Sequence, residues 1–210
     1  MSQGSSFENA LDVVLKRHVS GCNGLVRAER LSGGASQETY RLTVITASGE
    51  KLLAMRRAPG GQVLEKTPQH PGLDVEALLM QSARSVGVPE PEVFYVLREE
   101  DNLGDGFIME WLEGEALGAR IVRSPEFAQI RPELAYECGR VLAKIHQIDV
   151  DSTGLRKKLW QISPEEFVEQ TWERYRLLPT PQPMIDYTAR WLLDHLPVDY
   201  EPRLVHNDFR

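Results

Sequence analysis

The sequence predicts an α+β fold in two lobes. Residues 1–113 read as a five-stranded antiparallel sheet with one helix inserted after the third strand, and residues 114–210 as a mainly helical region. Three observations carry this reading. Apolar and polar residues alternate in short runs up to residue 112, the period of half-buried strands. From Gly114 onward apolar residues recur every three or four positions, the period of helices. Glycine, proline and serine clusters punctuate the runs where turns are needed.

The elements follow in order. Over 8–19, Leu11, Val14, Leu15 and His18 share a helical face closed by Gly21 and Gly24. In the run 25–46, Tyr40, Leu42 and Val44 lie on one face of a strand and Thr43 and Ile45 on the other, with a turn at 32–37 separating two strands. Ser48-Gly49 turns the chain into a third strand at 51–57, ended by Pro59-Gly60-Gly61. A helix is expected over 74–85, with Asp74 as its N-cap and Ala77, Met80 and Ala83 on one side. Gly87 should cap its C-terminus ahead of Pro89 and Pro91. Strands at 93–97 and 107–112 flank a turn-rich loop at 99–106. Leu134, Cys138, Val141, Ile145 and Ile148 form the stripe of a long helix, with further helices over 160–178 and 183–196. Leu204-Val205 reads as a short strand.

Bulk properties narrow the function. The formal charge of -7 leaves no basic footprint, which argues against nucleic acid. Cys22 and Cys138 are too far apart to suggest a disulfide framework or a zinc site, and Cys138 fits a small core residue. The polar N-terminus has no signal-peptide pattern, and no apolar stretch approaches the ~20 residues of a membrane span. A cytoplasmic location is expected, and the pattern fixes no oligomeric state.

Several residues carry chemistry. On the third strand, alternation sends Ala54 and Arg56 to one face. A small side chain leaves room for a planar ring, and a guanidinium two residues on can grip phosphate with two parallel hydrogen bonds. Arg56-Arg57 can equally be an exposed edge-strand pair. Glu76, on the following helix, is placed to pair with Arg56, or is a solvated carboxylate. Gly33, Gly34 and Ser36 form a turn whose backbone could approach an anion, or only a turn. Glu110 and Leu112 stand where a strand runs into Gly114, offering main-chain groups to a base, with Trp111 flanking. His146 reads as a helix-end histidine and His206 as a scaffold for its loop. His206-Asn207-Asp208 delivers a carboxylate into a loop, the way kinase folds present their catalytic base.

Taken together these stretches resemble the aminoglycoside phosphotransferase and choline kinase-like family, of protein-kinase-like fold. The nearest branch is the one whose members are fused to, or encoded beside, acyl-CoA dehydrogenases. The matching stretches are Leu31-Ser32-Gly33-Gly34-Ala35-Ser36, Tyr40-Arg41-Leu42, Met55-Arg56-Arg57-Ala58-Pro59-Gly60, Gly87-Val88-Pro89, Met109-Glu110-Trp111-Leu112-Glu113-Gly114, Leu142-Ala143, Ile145-His146 and Leu204-Val205-His206-Asn207-Asp208-Phe209-Arg210. The resemblance implies an ATP- and Mg²⁺-dependent kinase of a hydroxylated small molecule. Asp208 would be the base, and Arg56, oriented by Glu76, would hold the phosphates. Gly33, Gly34 and Ser36 would cover them, with Ala54 and the main chain of Glu110 and Leu112 around adenine. Two departures stand out. Asn207 replaces the family's usual Gly, and the family's metal-binding Asn and Asp would fall beyond residue 210. Little turnover is therefore expected from residues 1–210. The alternative is a catalytically dead nucleotide-binding or scaffold module of the same fold. Hydroxyacyl thioesters, amino-sugars and other alcohols all remain open as substrates.

Overall fold

The computed structural model describes residues 6–32, 37–67 and 69–209. It comprises two compact units, Met1–Lys158 with Leu204–Arg210, and Leu159–Arg203. The first unit is built on a five-stranded antiparallel sheet in the order β1-β2-β3-β5-β4. Its strands are β1 (Cys22–Arg30), β2 (Glu38–Thr46), β3 (Gly49–Arg57), β4 (Val93–Val96) and β5 (Gly106–Glu110). Helix α1 (Ser6–His18) precedes the sheet, and α2 (Leu73–Ser85) lies between β3 and β4. α3 (Gly118–Arg123) and α4 (Arg131–Ile145) complete the helices of this unit. The α+β expectation is therefore what is observed.

Alternation along the strands gives the sheet two different faces. Leu42, Val44, Leu53, Met55 and Ile108 point one way and pack against Leu11, Val14 and Leu15 of α1. Phe107 points the other way and packs with Ala58 against Leu73 and Ala77 of α2, joined by the half-buried Met80, Val93 and Met109. Register fixes the pairing across the central strand. Arg41 and Met109 stand opposite Ala54, and Thr39 and Phe107 stand opposite Arg56.

A buried carboxylate ties the α1 side together. Glu38, only 6% exposed, accepts the Gly60 N–H at 3.2 Å and the Tyr40 hydroxyl at 3.1 Å. Arg30 lies 3.1 Å and Arg57 3.5 Å from its oxygens. The Arg57 guanidinium in turn sits 4.6 Å over the ring of Phe7 on α1. Burial raises the Glu38 carboxyl, but the Gly60 and Tyr40 hydrogen bonds and the two cations outweigh it and hold it below its ordinary 4.5.

Several boundaries differ from expectation. β1 starts at Cys22, because register shifts between Cys22 and Gly24 and between Leu25 and Arg27 break the alternation that would have revealed it. α2 starts at Leu73 with no side-chain cap. Asp74 lies inside the first turn, 2.8 Å from Lys66, which takes the carboxylate away from the capping role. The other end matches. The N–H of Gly87 (φ 82) reaches Arg84 O and that of Val88 reaches Ala83 O, the paired closure that glycine permits. α4 stops at Ile145, so Ile148 is buried beyond the helix and Cys138 is half-buried instead of in the core. Leu204-Val205 is not a strand, since no ladder partner lies beside it among the described residues.

The second unit pairs α5 (Pro164–Arg176) with α6 (Pro183–Asp194). Ser163 caps α5 reciprocally with Glu166. Asp186 joins the two helices by accepting Trp172 Nε1–H at 2.7 Å and the Tyr175 hydroxyl at 3.2 Å. Among the described residues no helix is long and apolar enough to cross a membrane.

Two expected outcomes follow from this packing. A Cβ on Gly104 (φ 77) would lie 2.0 Å from the backbone oxygen of Gly61, whereas one on Gly118 would meet nothing within 4 Å. Urea denaturation should show Gly104→Ala losing about 3 kcal/mol or more and Gly118→Ala unchanged or up to about 1 kcal/mol more stable. For Glu38 the folded carboxyl titrates below its ordinary 4.5. Its contribution is thus complete above that value and lost as pH falls through the folded one. Glu38→Gln should cost more than about 2 kcal/mol near neutrality and flatten that part of the stability–pH profile below about pH 5.

Candidate functional site

β3 is an interior strand, bonded to β2 on one side and β5 on the other, so Arg56-Arg57 is not an edge-strand pair. The two arginines point to opposite faces. Arg57 goes to the α1 side and Glu38. Arg56 goes to the α2 side, where Glu76 meets it in the first turn of α2, with Nη1 2.5 Å from Oε1. Both side chains are partly solvent-exposed, at 39% and 28%, so the pair is placed to meet something from solution. Ala54 shares this face and is buried at 5% exposure.

The other expected positions divide. Gly33, Gly34 and Ser36 lie outside the described residues. The strands flanking them are closed by the Leu31 N–H donating to Thr39 O at 2.8 Å. Glu110 ends β5, and its N–H already donates to Glu92 O at 2.8 Å, which leaves the carbonyl as the main-chain group it can offer. Its carboxylate accepts the Glu92 N–H at 3.2 Å and lies 3.9 Å from Arg84 at the end of α2. Leu112 is exposed just past the sheet. Trp111 donates Nε1–H to Glu113 at 2.7 Å and lies 6.0 Å beneath the Arg41 guanidinium.

Asp208 sits with Asn207 in a turn, exposed and outside any helix. Its N–H points at His206 Nδ1 at 3.3 Å, and Phe209 packs edge-on against the His206 ring, with centroids 5.4 Å apart. His206 thereby braces the turn. The loop belongs to the same compact unit as the sheet. Burial pushes the Glu90 carboxyl up, the charge of His206 opposes this, and the charge of Glu76 adds to it.

Sequence reasoning missed three contributors. Gln37 donates Nε2–H to Glu76 Oε2 at 3.3 Å. Its place on the Arg56 face could have been read from its parity with Thr39. Arg84 donates to Glu90 O at 2.7 Å and reaches Glu110. Lys144 on α4 donates to Gly87 O at 2.5 Å, tying the helical region to the end of α2. The last two contacts join positions whose proximity leaves no periodic trace. A shallow depression of ≈ 510 Å³ on α5, lined by Gln170, Glu173, Arg174, Arg176 and Leu177, includes none of the candidate residues.

The family described as the phosphotransferase enzyme family matches residues 27–210. Acyl-CoA dehydrogenase family member 10 of Mus musculus is 28% identical over 214 residues, covering 98% of this chain and 18% of that protein. Probable acyl-CoA dehydrogenase IBR3 of Arabidopsis thaliana is 27% identical over 203 residues, covering 88% of this chain and 23% of that protein. The chain spans about a fifth of the length of these curated relatives. Similarity to acyl-CoA dehydrogenase family members is the association expected of the branch the motifs resemble.

A half-exposed ion pair contributes little to folding. Glu76→Gln should therefore cost no more than about 1 kcal/mol in urea denaturation, well below the cost of Glu38→Gln. Equal costs would mean that Glu76 is a structural residue first.

Proposed function

The chain belongs to the phosphotransferase enzyme family, and we propose that it is an ATP-dependent kinase of a hydroxyl group on a small molecule. Residues 1–113 serve as the nucleotide lobe and 114–210 as the helical lobe with the catalytic loop. The observation that carries this reading is the Arg56–Glu76 pair at 2.5 Å beside Ala54, on the sheet face opposite α1.

The residues fit a nucleotide. ATP, when bound, supplies the phosphoryl group that is transferred. Ala54 leaves space for the adenine ring, and the Glu110 carbonyl can accept a hydrogen bond from its amino group. Leu112 lines the exit. Arg56 grips phosphate oxygens through two parallel N–H bonds while Glu76 holds its direction. Asp208 takes the proton of the substrate hydroxyl as that oxygen bonds to phosphorus and the bond to the departing ADP oxygen breaks. Mg²⁺ accompanies ATP in this reading. Among the described residues no group of three or more His, Cys, Asp or Glu is placed to hold a metal ion, so no metal ligand is assigned to this chain.

The names of the two relatives support a hydroxyl-bearing acyl thioester as substrate, ahead of an amino-sugar or a choline-like alcohol. Both cysteines are free, which fits a reducing compartment, and the cytoplasm is the proposed location. The acidic balance supports neither nucleic acid nor an anionic membrane surface as a partner.

Isothermal titration with ATP and MgCl₂ tests the nucleotide site, and phosphorus NMR with a panel of hydroxyacyl thioesters tests the reaction. In the natural protein that carries this sequence, Asp208→Asn should lower turnover by roughly 10²–10⁴-fold and leave ATP affinity unchanged. Unimpaired turnover by that variant would remove Asp208 as the base. Binding of ATP with no turnover on any hydroxylated compound would assign a nucleotide-binding module instead.

A further inference from the structure

The Glu76 carboxylate is held from two sides. Arg56 on β3 takes Oε1 at 2.5 Å. Gln37, the residue before β2, donates its amide to Oε2 at 3.3 Å. Strand parity explains the meeting. Thr39 stands opposite Arg56, and Gln37, two residues earlier, falls on the same face. The contact also fixes the amide's orientation, because the reversed one would set its carbonyl oxygen against a carboxylate.

In this orientation Gln37 Oε1 is buried with no hydrogen-bond partner among the described residues. Native structures leave few buried acceptors unpaired, and those they leave call for a reason. Local stability offers none here, since among the described residues the side chain's one bond reaches a partly exposed carboxylate 39 residues away in sequence. What the bond does accomplish is geometric. A carboxylate with a donor on one oxygen can pivot, and the guanidinium follows it. A second donor from just before the neighbouring strand stops the pivot.

We propose that Gln37 is a positioning residue that locks Glu76 from its second side and so sets the direction of Arg56 toward the nucleotide phosphates. This rests on the reading of Arg56 as a phosphate ligand. Gln37 acts only through Glu76, so its effect should follow the phosphates and not the base.

The full chain is titrated with ATP and separately with adenosine, as wild type, Gln37→Met and Gln37→Lys. Met keeps the length and removes the donor, and Lys restores a donor. Gln37→Met should weaken ATP binding roughly tenfold and leave adenosine unchanged, with Gln37→Lys recovering most of the loss. Wild-type ATP affinity in Gln37→Met, or an equal loss for adenosine, overturns the proposal. Failure of the wild type to bind ATP would instead sink the kinase reading. The contact is then judged without nucleotide, by urea denaturation of Gln37→Met, Glu76→Gln and the double variant. Non-additive costs are expected, and strict additivity overturns the proposal.

Discussion

The two-residue period of β3 is the constraint on which the rest of this unit depends. It sends two adjacent arginines to opposite sides of one sheet. Arg57, 12% exposed, enters a network with Glu38, Tyr40 and the ring of Phe7. Arg56, 39% exposed, meets Glu76 at the open surface. The same side chain therefore does two kinds of work, set only by strand parity. The larger buried apolar cluster lies on the α1 face. Leu11, Leu15, Leu42, Leu53 and Met55 are fully buried there, and each contributes about 2 kcal/mol relative to exposure. A half-exposed pair such as Arg56–Glu76 contributes at most about 1 kcal/mol. The ion pair itself is not what holds the second face, since Phe107 with Ala58, Leu73 and Ala77 packs the rest of it.

Legibility in the sequence follows the same division. Where one face of a strand is buried, alternation is strict, and β2, β3 and the direction of Ala54 and Arg56 could be read directly. The start of β1 could not, because two register shifts there break the period. Asp74 has the composition of a cap and lacks the role, because Lys66, eight residues earlier, competes for its carboxylate. Leu204-Val205 has strand composition and no neighbouring strand. The burial of Glu38 depends on Arg30, Gly60 and Arg57 arriving from three directions, and a charged residue at a strand start gives no sign of it. The ion pair of the site was legible because it joins two elements whose order is itself a signal. Its second donor, Gln37, could be placed on that face by parity with Thr39, but nothing in its turn-like run of small and polar residues marks Glu76 as its partner.

α2 carries the consequence into function. Its N-terminal turn presents Glu76. Its C-terminal end is closed by Gly87 and Val88 bonding back to Arg84 and Ala83. That end is held from outside by Lys144 on α4 and reaches Glu110 through Arg84. One helix of 13 residues thus touches the arginine proposed to meet phosphate at one end and the strand exit proposed to read adenine at the other. Its inner face is secured by Leu73 and Ala77 against Phe107, a residue of the strand that ends in Glu110. Any shift of α2 along the sheet would break apolar packing, the Lys144 bond and the Glu76 contact together. The residues proposed to hold the two ends of a nucleotide are therefore tied by one rigid element. That arrangement suits a reaction in which protein groups contribute mainly by fixing positions before bonds change.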